Sequence, residues 1–161
     1  MPEQLQQAAG ADQDQEFAKI VVRVAAEVLE TMFFEEAVPT ACDHTWLPTA
    51  VSVHVSFEGS HQGEFLLSVS PDTARSIASG FLGLDPEEMT GTQPGDVILE
   101  LANILCGALM STLWPESVLS LGTPELATAE HGFLGAMHCC FTLPDGMVAV
   151  SIGVCGEDES A

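Results

Sequence analysis

Apolar and polar positions recur along this chain with two different periods, and the changes of period divide it into elements. From about Gln15 to Glu35, Phe17, Ile20, Val21, Val24, Val28 and Met32 follow helical spacing, and Pro39 closes the region. Val51, Val53, Val55 and Phe57 then alternate with Ser52, His54 and Ser56. Phe65, Leu67 and Val69 repeat the alternation beyond a Glu58–Gly63 loop that contains glycine at both Gly59 and Gly63. This predicts a hairpin of half-buried strands. Pro71-Asp72 opens a second helix, which runs through Ala74, Ile77, Ala78 and Phe81. A loop from Gly83 to Gly95 leads to a third helix from about Gly95 to Leu113, ended by Trp114-Pro115. Val118–Leu121 predicts a short strand and Gly122-Thr123-Pro124 a turn. Met137, Cys139, Phe141 and Leu143, then Val148, Val150, Ile152 and Val154, predict a final hairpin. Its turn is Leu143-Pro144-Asp145-Gly146, where Pro presets φ and Gly accepts a positive φ.

Hairpins outnumber crossovers in this order of elements, which predicts an α+β domain: an antiparallel sheet with helices packed on it. Residues 1–14, rich in Gln, Ala and Asp, are expected to form a flexible tail. Residues 15–155 are expected to form one domain, and residues 156–161 an acidic tail.

Composition narrows the function. The chain of 161 residues is 47% hydrophobic, enough for a real core. Its 24 acidic residues face only Lys19, Arg23 and Arg75, for a net charge of −21. Such a charge repels nucleic-acid phosphates and anionic lipid, which excludes nucleic-acid binding and a polybasic membrane anchor. The acidity serves solubility or adaptation to salt, or a long-range preference for basic patches on a partner. Residues Met1 to Gln15 lack the basic-then-apolar pattern of a targeting signal, and the apolar stretch Ile20 to Phe34 is interrupted by Arg23, Glu27 and Glu30. The expected location is the cytoplasm. Cys42, Cys106, Cys139, Cys140 and Cys155 form no C-x-x-C and are expected to be reduced thiols.

The third helix carries the candidate chemistry. Val97, Ile98, Leu101, Ala102, Ile104, Leu105, Ala108, Leu109 and Leu113 cover a wide apolar arc. Opposite lies a narrow stripe of Asp96, Glu100, Asn103, Gly107 and Ser111, which share one face at helical spacing. An ordinary amphipathic helix has a broader polar side. Either this is a core helix with a little polarity where it meets water, or the stripe meets another surface. In the second case Gly107, which costs the helix about 1 kcal/mol relative to Ala, allows close approach.

Asp96-x-x-x-Glu100-x-x-Asn103, followed by Pro124, resembles the signature of the CheC/CheX/FliY chemotaxis phosphatases. The family pattern is Asp or Ser, three residues, Glu, two residues, Asn, and a proline about 21 residues on; here the gap from Asn103 to Pro124 is one residue shorter. Glu30-Thr31-Met32-Phe33-Phe34 also looks like the opening helix of the single-copy CheX branch. The resemblance implies a phosphatase that hydrolyses the aspartyl phosphate of a CheY-like response regulator. It implies that Asn103 positions the attacking water and that Glu100 docks on the receiver's lysine. Asp96, Gly107 and Ser111 are expected to touch the partner, Asp96 alternatively serving only the helix dipole, and Pro124 to shape a turn. The chain itself needs no cofactor; Mg²⁺ is expected on the receiver. The CheX branch further implies a homodimer. The alternative is a non-catalytic module of the same fold that binds receivers or flagellar switch components.

Other polar clusters carry less. His131, His138, Cys139 and Cys140 lie near one hairpin, but adjacent strand residues point to opposite faces, so a converging zinc site is not expected. Cys42-x-His44 is isolated, and there is no Gly-rich phosphate loop.

Overall fold

The structure, a computed structural model, describes residues 2–42, 44–127 and 137–154, with side chains from residue 15 onward except at residue 44. Its helices are α1 (Pro2–Met32), α2 (Pro71–Leu82) and α3 (Gln93–Leu113). Its strands are β1 (Val38–Thr40), β2 (Val51–Gly59), β3 (Gly63–Val69), β4 (Leu119–Leu121), β5 (Glu125–Ala127), β6 (Met137–Leu143) and β7 (Gly146–Val154). All pairings are antiparallel, in the order β1-β6-β7-β3-β2-β4, with β5 also on β2. The architecture is α+β, as the order of elements predicts.

Alternation decides which face of the sheet is covered. Val53, Val55 and Phe57 of β2, Phe65, Leu67 and Val69 of β3, and Val148, Val150 and Ile152 of β7 are all buried in one cluster with the helices. α3 lies between α1 and α2 and against β2 and β3. Its Ile98, Leu101, Leu105 and Leu109 are fully buried. By length and composition α3 is the one helix among the described residues apolar enough to cross a membrane. Its burial against the sheet and two helices accounts for that hydropathy within the domain.

The structure departs from the sequence pattern at several points. The helix α1 begins at Pro2, thirteen residues before the start at Gln15 that the apolar spacing predicts; Gln and Ala are good helix formers. At the other end of α1, Met32 is 46% exposed and Leu29 and Phe33 are buried instead. There the chain reverses: Phe34 adopts φ 60, and the Glu35 N–H donates to the Leu29 carbonyl at 2.9 Å. Ser76 of α2 donates to the Glu35 carboxylate at 2.8 Å, tying the end of α1 to α2.

The segment Gly122-Thr123-Pro124 is a bulge and not a chain-reversing turn. Leu121 faces Phe57 and Glu125 faces His54, so three residues span the two β2 positions Val55 and Ser56. The Gly122 N–H donates to the Ser56 carbonyl at 2.7 Å, and a Cβ on Gly122 would lie 2.6 Å from Ser56 Oγ. Pro124 has no N–H to offer a ladder, which an edge strand tolerates.

The thiols also differ from expectation. Cys42 and Cys140 form a disulfide, with Cα atoms 5.2 Å apart and a separation of 98 residues in sequence. They meet because β1 pairs with β6, Thr40 opposite Cys140. Cys106 and Cys139 are free and buried. Burial pushes the Cys106 thiol up to about 12 and raises Cys139 as well. The thiolate is the reactive form, so at pH 8 both are expected to resist iodoacetamide in the native protein and to react after unfolding. Peptide mass spectrometry reads each site; native labelling of Cys106 would contradict its burial.

Candidate functional site

α3 is held at both ends before any functional group is considered. At its start, Gln93 and Pro94 occupy the first turn, two residues earlier than Gly95, where a missing proline N–H leaves no helix bond unmade. The Gln93 side chain accepts the Thr90 N–H at 2.8 Å. At its end, Trp114 stacks on His61 with centroids 4.2 Å apart and packs against Phe17 and Phe57. One aromatic side chain thus ties the helix terminus to α1, β2 and the β2–β3 loop. A helix fixed along its length and at both ends gives little freedom to whatever it displays.

What it displays is the stripe read from the sequence. Asp96, Glu100, Asn103 and Ser111 are exposed and Gly107 is half-buried. Glu100 and Asn103 stand one turn apart near the middle, and the stripe runs about 22 Å from Asp96 to Ser111 at 1.5 Å per residue. Both residues project from a rigid element with their polar ends in solvent. Glu100 offers an anion, and the Asn103 amide can donate and accept at once. None of the chain's three cations lies on α3: Lys19 and Arg23 are on α1 and Arg75 on α2. Any cation that Glu100 grips therefore comes from outside the helix.

The flanking members have local partners. The Thr92 hydroxyl donates to the Asp96 carboxylate at 3.3 Å, and Asp96 sits in the first turn, where an anion complements the helix dipole. Gly107 lies beside β4, and a Cβ there would meet only Leu121 Cδ1, at 3.9 Å. Packing inside the chain does not demand glycine at this position. Gly107 and Ser111 line a hollow of about 190 Å³ with Trp114 and Leu121. Pro124 is half-buried in the bulge on β2 and does not join the stripe.

The sequence pattern misplaced Phe81. Its spacing from Ile77 and Ala78 predicts an inward residue, but it is 43% exposed and faces the start of α3 beside Asp96 and Glu100. No sequence signal distinguishes the two placements, because the last turn of α2 overhangs the core.

The discounted metal ligands are dispersed. Cys139 is buried toward the helices; Cys140 is bonded to Cys42. His138 Nδ1 lies 2.8 Å from Ser151 Oγ. His131 is outside the described residues. Among the described residues no group of three or more His, Cys, Asp or Glu is arranged to hold a metal ion.

A helix packed against the sheet and two other helices thus presents a carboxylate and an amide on one narrow exposed face. The family model for the chemotaxis phosphatase CheX matches residues 51–137, more than half of the chain. The chain belongs to the chemotaxis phosphatase CheX family. A comparison with curated proteins finds no match. Among solved structures, the chemotaxis protein CheX of Vibrio vulnificus is similar at TM-score 0.72 and 20% identity, over 86% of this chain and 96% of that one. CheX in the CheX–CheY–BeF₃–Mg²⁺ complex of Borrelia burgdorferi gives 0.67 and 22%, over 87% and 98%. FliY of Thermotoga maritima gives 0.62 and 16%, over 91% and 89%. At these identities the likeness is one of fold.

Proposed function

We propose that this chain is a cytoplasmic phosphatase that hydrolyses the aspartyl phosphate of a CheY-like receiver domain. The observation that carries the reading is the exposed pair Glu100 and Asn103, a turn apart on a helix whose opposite face is buried, in a chain of the CheX family. Water attacks phosphorus in line with the bond to the receiver's aspartate. That P–O bond breaks, the aspartate is regenerated as a carboxylate, and inorganic phosphate leaves with the oxygen of water. Such a reaction needs positioning and electrostatics more than a protein nucleophile. The Asn103 amide neither takes nor gives up a proton. It accepts from the water through its oxygen and donates through its nitrogen, holding the water opposite the leaving carboxylate. Glu100 pairs with the receiver's active-site lysine and sets the register between the two proteins. Mg²⁺ travels with the receiver, on that protein's carboxylates. The complex of the Borrelia relative with CheY, BeF₃ and Mg²⁺ supports a receiver as partner. β1 and the β4–β5 segment form the two edges of the sheet. Strand pairing across an edge, about a two-fold axis, is the proposed route to a homodimer.

The docking role separates from the chemical one in kinetics. Glu100→Gln keeps size and helix propensity and removes the charge. It is expected to raise the KM for phosphorylated receiver about ten- to a hundredfold, with a smaller change in kcat. High salt is expected to narrow the difference from wild type, since the lost interaction is ionic. Phosphate release against receiver concentration measures both constants. An unchanged KM would remove Glu100 from docking. A receiver that binds wild type without any change in phosphate lifetime would favour the non-catalytic module.

A further inference from the structure

Beside the proposed docking stripe lies a groove that shares Asp96 and Glu100 with the motif and adds an apolar wall that the motif does not include. The end of α2 and the start of α3 enclose a groove of about 350 Å³ lined by Phe81, Leu82, Gln93, Asp96, Val97 and Glu100. Its α2 wall is apolar and open: Phe81 is 43% exposed and Leu82 40%. Its α3 wall carries two carboxylates with no cation on the same helix. Phe81 is not loose there, because buried Phe33 stacks on it with centroids 5.2 Å apart and planes at 19°. A pre-positioned aromatic loses little entropy when a partner covers it. Apolar side chains left this exposed in a groove with charged walls are what a partner interface uses: an apolar anchor with a polar rim.

We propose that this groove is a recognition subsite for the receiver, taking one aliphatic or aromatic side chain that stands next to a lysine or arginine. The proposal rests on the docking role given to Glu100. Two observations select the occupant. Glu100 belongs both to the groove and to the proposed docking stripe, so a partner seated on one reaches the other. The acidic rim of Asp96 and Glu100 selects a basic neighbour and disfavours an acidic one. The apolar wall then discriminates among receivers that share the same active-site lysine. Leu82 and Phe81 would set which receiver is served, and Asn103 how fast.

Leu82→Gln tests this, since Leu82 is outside the buried cluster and Gln is a good helix former. The probe is a CheY-like receiver domain from the same source, loaded with beryllium fluoride and Mg²⁺ for binding and phosphorylated for turnover. Affinity is expected to fall about tenfold and KM to rise equally, with kcat and the melting temperature retained. Asn103→Ala, run in parallel, is expected to lose turnover and keep affinity. If Leu82→Gln binds and turns over as wild type does, the groove is not a subsite, whereas the activity reading stands on the Asn103 result. If wild type binds no receiver, both fall together.

Discussion

Asn103→Ala is expected to slow receiver dephosphorylation by about 10²–10³-fold with binding unchanged, the loss typical of removing one positioned polar group from a reacting centre. The expectation follows from where the residue sits. Asn103 is exposed, so alanine leaves no cavity and no unpaired buried group. Alanine also favours a helix, so the fold should be untouched or slightly steadier. The neighbours at Glu100 and along the α2–α3 groove keep their places because α3 is held by buried Leu101 and Leu105 on its inner side. What is lost is the amide that accepts from and donates to one water. Stopped-flow or radiolabel decay, paired with a binding titration, reads the two effects apart. A variant that binds poorly would make Asn103 a docking residue, and one that turns over normally would remove it from the chemistry.

The largest effect on stability is expected at Leu105→Ala, about 3–5 kcal/mol by the usual cost of emptying a fully buried leucine site. Leu105 is fully buried on the helix between α1, α2 and the sheet. The helix that carries it packs against α1, α2 and the sheet, and a closely packed interior fills such a space only in part. The same helix displays Glu100 and Asn103, so loosening it disturbs the site as well as the fold. Denaturant unfolding measures the loss. At temperatures where the variant stays folded, kcat is expected to fall with stability, because a site on a rigid element depends on that rigidity. A loss below about 1 kcal/mol would mean that the packing around α3 is far looser than a fully buried core implies.

The polar stripe on α3 was legible in the sequence. Asp96, Glu100 and Asn103 are exposed while Val97, Ile98, Leu101, Leu105 and Leu109 are buried, and helical spacing alone separates the two sets. The long strands were legible for a related reason: β2, β3, β6 and β7 turn one face to the helices, so buried apolar residues recur at every second position. β1 spans three residues, too few to show a period. The bulge at Gly122–Pro124 is a matter of register between β2 and its neighbours, which only the pairing reveals. The Cys42–Cys140 disulfide depends on a contact between residues distant in sequence. Phe81 shows the limit most directly. Its spacing says inside, yet α2 outlasts the core by one turn, and the side chain lands beside the site instead.

The central claim is that this chain turns over phosphorylated receiver. The most direct test is release of inorganic phosphate from a phosphorylated CheY-like receiver domain with Mg²⁺, with the protein present at well below one equivalent. The account predicts complete release, many phosphates per protein molecule, at a rate proportional to protein concentration. Decay no faster than the receiver's own, in the presence of demonstrable binding, would contradict it and leave Glu100 and Asn103 as features of a docking surface.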